Sequence, residues 1–413
     1  MEQRRNERNW ILYDIGNSAY ILIATTMIPI MFTQLATQGG VSEDVSLAYW
    51  GYAVTISTFI TALCGPVLGA ISDTSFGKKR MFFIFVLLGV IGCFFQPRVS
   101  NYLVFLIVYV LSKTGFNGSL IFYDSMLSDV TTEERMDFVS SRGYAWGYIG
   151  SCIPFVFCVF LVTKKEVFSL ELASAMNLVF LIIAVWWILF TLPLVFSYRQ
   201  KTYMHRLKGP KKIFGQLVET VMEIKDDPKV FWFLVSFFFY IDGVYTIINM
   251  ATAYGSSLGL SSNGMIMALL LTQVVAFPFA LLFGYLSKRI KAASLLKLCI
   301  IAYALIALYG VTLDRLFEFW ILAVGVGMFQ GSIQALSRSY YAKIIPPEKS
   351  GEYFGIYDIF GKGASVIGTF IVSIVSQVTG NQHYAIFSLI FLFIAGYYSF
   401  LKSEKIDISQ KTF

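Results

Sequence analysis

Five ionisable side chains interrupt long apolar stretches of this sequence: Asp14, Lys113, Asp124, Asp242 and Arg338. A charge at the centre of a membrane-spanning helix costs about 2.5–3.5 kcal/mol, which makes each a candidate functional residue if its stretch crosses a membrane. Lys113 and Asp242 lie mid-stretch, where they can bind the two charges of a zwitterion or pair with each other. A carboxylate in such surroundings takes up a proton readily, and Asp242 is the best-placed proton carrier. Asp14, Asp124 and Arg338 lie toward the ends, where a gate is an equal alternative.

Polar residues accompany these charges at helical spacing in four separate stretches. Residues three, four or seven positions apart lie on one face of a helix, so each set forms a polar stripe. Four such stripes are what a water-filled cavity between helices requires, and their residues are candidates for contact with a solute or a proton. The sets are Asp14, Ser18 and Thr25, with Asn17 and Tyr20 adjacent; Lys113, Asn117 and Asp124; Asp242, Tyr245 and Asn249; and Gln330, Gln334 and Arg338.

Four further charged residues are candidates for gating. Asp73 and Arg142 lie at helix ends, where they either brace a gate or reach the membrane surface as isolated charges. Asp358 and Lys362 are four residues apart and can pair within one helix. The favoured interpretation of this pair is mutual neutralisation, with a part in gating as the alternative.

Metal and cofactor chemistry is not expected. The sequence has two His residues, and its five Cys residues all lie within apolar runs, without metal-ligand spacing. It also lacks a motif that an intramembrane enzyme would need for catalysis. We therefore predict no metal, no cofactor and no enzymatic activity.

The elements that position these residues follow from the composition. Hydrophobic residues make up 57% of the 413 residues and charged residues 14%, against about 45–50% and about 25% in soluble domains. A spanning helix needs about 20 mainly apolar residues. Twelve stretches satisfy this and predict an all-α membrane protein with twelve transmembrane helices. They lie at about 10–36, 47–71, 80–97, 101–127, 140–163, 173–197, 229–254, 262–286, 293–313, 316–342, 353–378 and 382–401.

The basic residues predict the orientation. If the N-terminus is cytoplasmic, 26 of the 32 Lys and Arg residues fall on the cytoplasmic side, 4 on the other side and 2 within helices. Such an asymmetry follows the positive-inside rule, so both termini are predicted to be cytoplasmic. Charge sorting also accounts for the net charge of +7, and nucleic acid is not predicted as a partner. Short loops and tails favour a multi-pass protein of the bacterial cell membrane over a vacuolar one.

Two landmarks recur with one offset and indicate an internal repeat. Gly69 begins a Gly-x-x-x-Asp segment, and Gly284 occupies the corresponding place 215 residues later. The segments Thr-Thr-Glu at 131–133 and Pro-Pro-Glu at 346–348 show the same offset. We predict six-helix halves at 1–197 and 229–413, joined by a cytoplasmic linker at 198–228 whose amphipathic helix lies on the membrane surface. Two parallel halves with a site between them are typical of major facilitators.

Three stretches narrow the resemblance. They read WILYDIGNSAY at 10–20, SSRGYAWGYIG at 140–150, and SRSYYAKIIPP at 337–347 followed by EYFGIYDIFGK at 352–362. Together they resemble the family of the autophagy-related vacuolar amino-acid effluxers and their bacterial relatives. The segment 69–80 is similar to the loop between helices two and three of major facilitators. It differs in one extra residue before Gly77, and Lys288 replaces the acid in the second half.

The resemblance implies a secondary transporter that works by alternating access, with helices one, four, seven and ten lining the cavity. Its partners would be a small-molecule solute, membrane lipid and a coupling proton, and the chain would act as a monomer. Amino acids are the candidate substrates. The alternatives are export of amphipathic drugs or lipids and a non-transporting receptor built on a transporter fold.

Overall fold

A computed structural model describes residues 2–74, 77–204 and 210–406 of the chain. These residues form fourteen helices, of which twelve are long and apolar enough to cross a membrane. The other two are the single turn α5 and the linker helix α8. The helices are α1 (Glu2–Gln38), α2 (Glu43–Ser72), α3 (Gly77–Phe95), α4 (Tyr102–Ser125), α5 (Leu127–Val130), α6 (Met136–Thr163), α7 (Leu172–Ser197), α8 (Pro210–Asp226), α9 (Pro228–Ser257), α10 (Ser262–Leu286), α11 (Ala292–Gly310), α12 (Leu316–Ile344), α13 (Ser350–Thr379) and α14 (Gln382–Glu404).

The predicted all-α architecture with twelve spanning helices is confirmed. The main difference is that α1 begins at Glu2, well before the apolar run that predicted it. Its first two turns are polar, and hydropathy marks the part of a helix that lipid can cover rather than the whole helix. The other spanning helices begin and end within a few residues of the predicted bounds.

The first compact unit contains residues Met1–Thr131, Trp146–Lys208 and Glu348–Gly355. Its interior is built where α3 packs against α4 and α1 packs against α7. Gly89 of α3 and Gly115 of α4 let the two backbones meet: a side chain on Gly115 would collide with the backbone of Gly89. Small residues therefore allow a close contact between these two helices.

The second compact unit contains residues Thr132–Ala145, Gly209–Pro347 and Ile356–Phe413. Here α10 packs against α12, and α9 packs against α14. Two helices, α6 and α13, thus have residues in both units. The first residues of α6 belong to the second unit, and the first residues of α13 belong to the first.

The repeat is visible at the two landmark glycines. In the first unit, a side chain on Gly69 would collide with the backbone at Gly351 and Glu352, where α13 begins. In the second unit, a side chain on Gly284 would approach Ser141 of α6 within 2.8 Å. Each glycine therefore provides the space into which the beginning of another helix packs.

The linker helix α8 has an unusual distribution of side chains. Its residues Gln216 and Thr220 are buried, whereas Val218, Val221 and Met222 are exposed. An exposed apolar face suits a membrane surface. The location of α8 on that surface stays a prediction.

The close contact between α3 and α4 can be tested with Gly115→Ala. The added methyl group meets backbone atoms that cannot turn aside, so we expect a loss of about 1–3 kcal/mol in unfolding free energy. Thermal unfolding of the detergent-solubilised protein measures the effect. The matched control is Gly51→Ala in α2, where the methyl group meets no atom within 4 Å. A Gly115→Ala variant as stable as this control would contradict the packing argument.

Candidate functional site

Asp73 is a buried residue whose carboxylate caps the N-terminus of α13, a helix that is distant in the sequence. It follows the last residue of α2, and its carboxylate reaches the beginning of α13 within the first unit. Oδ1 accepts a hydrogen bond from the backbone N–H of Gly351 at 2.8 Å, and Oδ2 accepts one from Glu352 at 2.9 Å. The first N–H groups of a helix have no partner within it, and they carry the positive end of the helix dipole. Asp73 is therefore a charged anchor for α13.

Lys78 connects this anchor to a second carboxylate. Its fully buried ammonium lies 2.7 Å from the hydroxyl of Ser350, 3.2 Å from Asp129 and 3.9 Å from Asp73. We call Asp73, Lys78, Asp129 and residues 350–352 the Asp73 cluster. Burial raises the pKa of Asp73 to about 7, although Lys78 and the two backbone N–H groups act in the opposite direction. The cluster therefore takes up or releases a proton near neutral pH.

Arg338 holds the beginning of α6 within the second unit. Its Nε donates to the hydroxyl of Ser140 at 2.9 Å, and its Nη2 donates to the Ser140 carbonyl at 3.1 Å. The Ser140 hydroxyl donates in turn to the carbonyl of Ala335 at 2.8 Å. The guanidinium lies 4.5 Å from the centre of the Tyr144 ring, and Arg338 is only 2% exposed. A buried guanidinium that donates to two acceptor oxygens and lies over an aromatic ring has a fixed position.

Further charges surround the same helix end. Lys343 forms an ion pair with Asp137 at 2.5 Å. The ammonium of Lys288 lies 3.9 Å from the centre of the Phe138 ring, and the guanidinium of Arg142 lies 5.5 Å from the same centre. We call these residues, with Arg338, Ser140 and Tyr144, the Arg338 cluster.

Asp14, in the polar stripe of α1, is bound by Tyr123 of α4. Asp14 accepts a hydrogen bond from the hydroxyl of Tyr123 at 2.7 Å. The Tyr123 ring is stacked on Trp10 at 4.3 Å, and the indole N–H of Trp10 donates to the Tyr123 carbonyl. Asn17 and Asn117 are also buried in this unit. Asp14 thus has a fixed donor and a fixed orientation.

Two other predicted residues of the first unit have apolar neighbours. Tyr20 is fully buried, with its ring 5.3 Å from Phe116 and 5.0 Å from Trp187. The ammonium of Lys113 lies 4.8 Å from the centre of the Phe116 ring, a favourable cation–π distance. Asp124 is half-buried. The structure therefore places Tyr20 in the helix packing of this unit.

Asp242 of α9 is fully buried in the second unit. Its Oδ1 accepts hydrogen bonds from the backbone N–H of Gly368 at 2.8 Å and from the hydroxyl of Thr246 at 3.3 Å. Its Oδ2 is buried and has no hydrogen-bond partner among the described residues. Gly368 lies within α13, and a side chain there would collide with Thr246 and Asp242. Only glycine lets this carboxylate reach the α13 backbone.

The other predicted residues of this unit differ in exposure. Tyr245 is half-buried and Asn249 is exposed, whereas Gln330 is buried. The side-chain amide of Gln334 donates to the Gln330 carbonyl one turn earlier at 3.1 Å. Asp358 and Lys362 form an ion pair at 2.5 Å along α13, as their spacing allows.

A small cavity lies between α9, α10 and α12 of the second unit. Its volume is about 60 Å³, and none of its lining residues is charged. Thr272, Gln273 and Gln330 provide its polar groups. Its apolar lining consists of Ile247, Ile248, Ala251, Leu269, Phe319, Leu322, Ala323 and Val326. Among the described residues, no group of three or more His, Cys, Asp and Glu side chains is arranged to hold a metal ion.

Residues 44–405 match the family model described as "Vacuole effluxer Atg22 like". The chain belongs to this family. It is 41% identical to an uncharacterized MFS-type transporter, YxiO, of Bacillus subtilis, over 98% of this chain and 97% of that protein. Autophagy-related protein 22 of Kluyveromyces lactis is 22% identical over 95% of this chain and 92% of its own length.

Solved structures show the same fold. The major facilitator superfamily transporter FucP, in the outward conformation, matches with a TM-score of 0.74 at 14% identity over 98% of both chains. The proton:xylose symporter XylE matches with a TM-score of 0.66 at 12% identity, over 96% of this chain and 94% of that one. The predicted major facilitator fold of two six-helix repeats is therefore confirmed.

Several residues of the two clusters were missed by the sequence analysis of this Atg22-like chain. Lys78 was visible only as one of three basic residues after Gly77, and Asp129 as an acid beyond the fourth span. Ser350, which accepts a hydrogen bond from Lys78, is 272 residues away from it, so local spacing gives no sign of the contact. Ser140 and Tyr123 were missed for the same reason. Each is an uncharged residue whose role depends on a partner that is distant in the sequence.

The raised pKa of Asp73 predicts a pH dependence of stability. The ordinary value is 3.8, so the folded chain binds the proton more tightly than the unfolded chain. This contribution is fully present below the ordinary pKa and is lost as the pH rises through about 7. We expect the melting temperature of the solubilised protein to fall between about pH 5 and about pH 8. In Asp73→Asn this slope should be smaller, and an unchanged slope would assign it to other groups.

Proposed function

We propose that this protein is a secondary transporter that moves a small solute across the bacterial cell membrane by alternating access. One observation carries the proposal. The Asp73 cluster and the Arg338 cluster each hold the beginning of a helix whose remainder belongs to the other unit. These contacts consist of hydrogen bonds and charge interactions. Their polar groups can exchange protein partners for water when the end of the helix is released. Apolar packing alone would favour a single permanent arrangement.

The two clusters act as the gate of this transporter on the cytoplasmic side, as the charge asymmetry of the sequence suggests. Asp73 binds the beginning of α13 directly, and Arg338 binds the beginning of α6. Arg142 lies beside Phe138 in the Arg338 cluster. The ion pair of Asp358 with Lys362 lies further along α13, where it neutralises both charges.

Asp242 carries the coupling proton in this proposal. A buried carboxylate with one oxygen lacking a described partner is costly when charged, so protonation relieves that cost. The same carboxylate accepts the amide of Gly368, so its charge state affects how α13 is held. A change in protonation therefore has a structural consequence in a helix that also carries the gate.

The solute is small and partly apolar. Support comes from the uncharged cavity around Gln330, whose lining is mainly aliphatic. Amino acids with apolar side chains match such a lining. The same uncharged lining favours amphipathic compounds as a second candidate class.

The experiment that tests this function is a thermal-shift screen followed by transport in liposomes. Purified protein is screened against amino acids and amphipathic dyes, and stabilising compounds are then supplied as labelled solutes to proteoliposomes. Accumulation above that in protein-free liposomes supports a transporter. Binding without movement of any stabilising solute would favour the receptor alternative instead.

The orientation predicts which positions react with a membrane-impermeant thiol reagent. In a background without the five native Cys residues, Gln38→Cys should be labelled from outside intact cells, because it lies at the end of α1 away from the N-terminus. Lys225→Cys in α8 should react only after permeabilisation. The reverse pattern would overturn the proposed topology.

The role of Asp242 predicts a split between two transport assays. Asp242→Asn keeps the size and an acceptor oxygen but cannot ionise, so transport driven by a pH gradient should fall to background. Counterflow needs no net proton movement and should continue. Both are measured with the same solute in the same proteoliposomes.

A matched control for this assay is Glu171→Gln, which removes an exposed carboxylate before α7. It should retain both activities. Loss of both activities in Asp242→Asn would assign Asp242 to solute binding or to folding. Retention of both would remove it from the coupling mechanism.

A further inference from the structure

The linker between the two halves begins with a stretch that lies on the Asp73 cluster. We call residues 198–204 the linker strap. Oδ1 of Asp129 accepts hydrogen bonds from the backbone N–H groups of Lys201 at 3.1 Å and Thr202 at 3.2 Å, and from the Thr202 hydroxyl at 3.1 Å. Oδ2 accepts one from the hydroxyl of Tyr198 at 2.5 Å. One carboxylate thus fixes most of the strap.

The strap also contacts the loop that carries Asp73. The side-chain amide of Gln200 donates to the Ser72 carbonyl at 3.2 Å, and its oxygen accepts from the backbone N–H of Lys78 at 3.3 Å. The backbone N–H of Met204 donates to the Asp73 carbonyl at 2.8 Å. The middle and the last residue of the strap are therefore attached to the segment that holds α13.

Burial makes these contacts energetically important. Asp129 is 1% exposed, and a buried carboxylate without donors is strongly destabilising. Burial and the neighbouring Asp129 raise the pKa of Tyr198 well above its usual range, so its hydroxyl stays protonated and donates. Apart from the strap, Lys78 is the donor that reaches Asp129 in the described structure, and it also serves Ser350.

This shared lysine connects the strap to α13. With the strap in place, Asp129 has enough donors for Lys78 to lie 2.7 Å from the Ser350 hydroxyl as well. Without the strap, Asp129 would depend on Lys78 alone. The ammonium would then be drawn toward Asp129, away from Ser350 and Asp73.

We propose that the linker strap is a third component of the hold on α13, with Tyr198 and Thr202 as positioning residues. Through Asp129 and Lys78, the strap keeps the Asp73 loop in the geometry that binds the N–H groups of Gly351 and Glu352. Displacement of the strap therefore loosens the beginning of α13.

Hydrogen–deuterium exchange of the full chain in detergent tests this without any solute. The double variant Tyr198→Phe with Thr202→Val removes the two side-chain donors that the strap supplies to Asp129. We expect the amides of Gly351 and Glu352 to exchange about tenfold faster, because hydrogen bonds to a charged group are stronger than those between neutral groups. The matched control is Tyr203→Phe, which alters a ring that is 48% exposed in the same strap.

Exchange at Gly351 and Glu352 equal to that of the control would overturn the proposal. Unchanged protection in α11 verifies that the double variant is folded. If that protection is lost, Gln200→Ala decides instead, because it removes only the half-buried bridge between the strap and the loop. Faster exchange at the two amides supports the proposal, and wild-type exchange contradicts it. Neither result depends on whether the chain transports a solute.

Discussion

The buried carboxylate of Asp73 on the N–H groups of Gly351 and Glu352 is the contact on which much of the first unit depends. Burying a charge is costly, and several donors must offset that cost. The N–H groups at the beginning of α13 and the ammonium of Lys78 offset it here. Gly69 leaves room for α13 to approach closely enough to do so.

The beginnings of α13 and α6 are bound by side chains of opposite charge. In the first unit an acid binds N–H groups, which the dipole of α13 favours. In the second unit Arg338 binds the hydroxyl and carbonyl of Ser140 and stacks near Tyr144, without help from a helix dipole. Because a guanidinium stays charged at every physiological pH, only the first hold responds to protons near neutrality. The fold is therefore repeated, but the sign of the charge that binds the beginning of each helix is not.

Hydropathy and charge were enough to predict the twelve helices, because lipid requires long apolar helices whatever their partners are. Asp73 and the 215-residue offset were also accessible from the sequence. Lys78, Asp129 and Ser140 were not, because their roles depend on contacts between distant parts of the chain. Spacing placed Tyr20 beside a polar stripe, but spacing alone does not reveal that Phe116 and Trp187 enclose its ring.

The contact of Asp242 with the backbone at Gly368 has a consequence for sequence variation. A methyl group at 368 would occupy the space of the carboxylate, and an apolar side chain at 242 would give up the acceptor of that amide. The two positions are therefore expected to covary among relatives. A chain with alanine at 368 should carry a shorter residue at 242, and a chain that keeps the acid should keep the glycine.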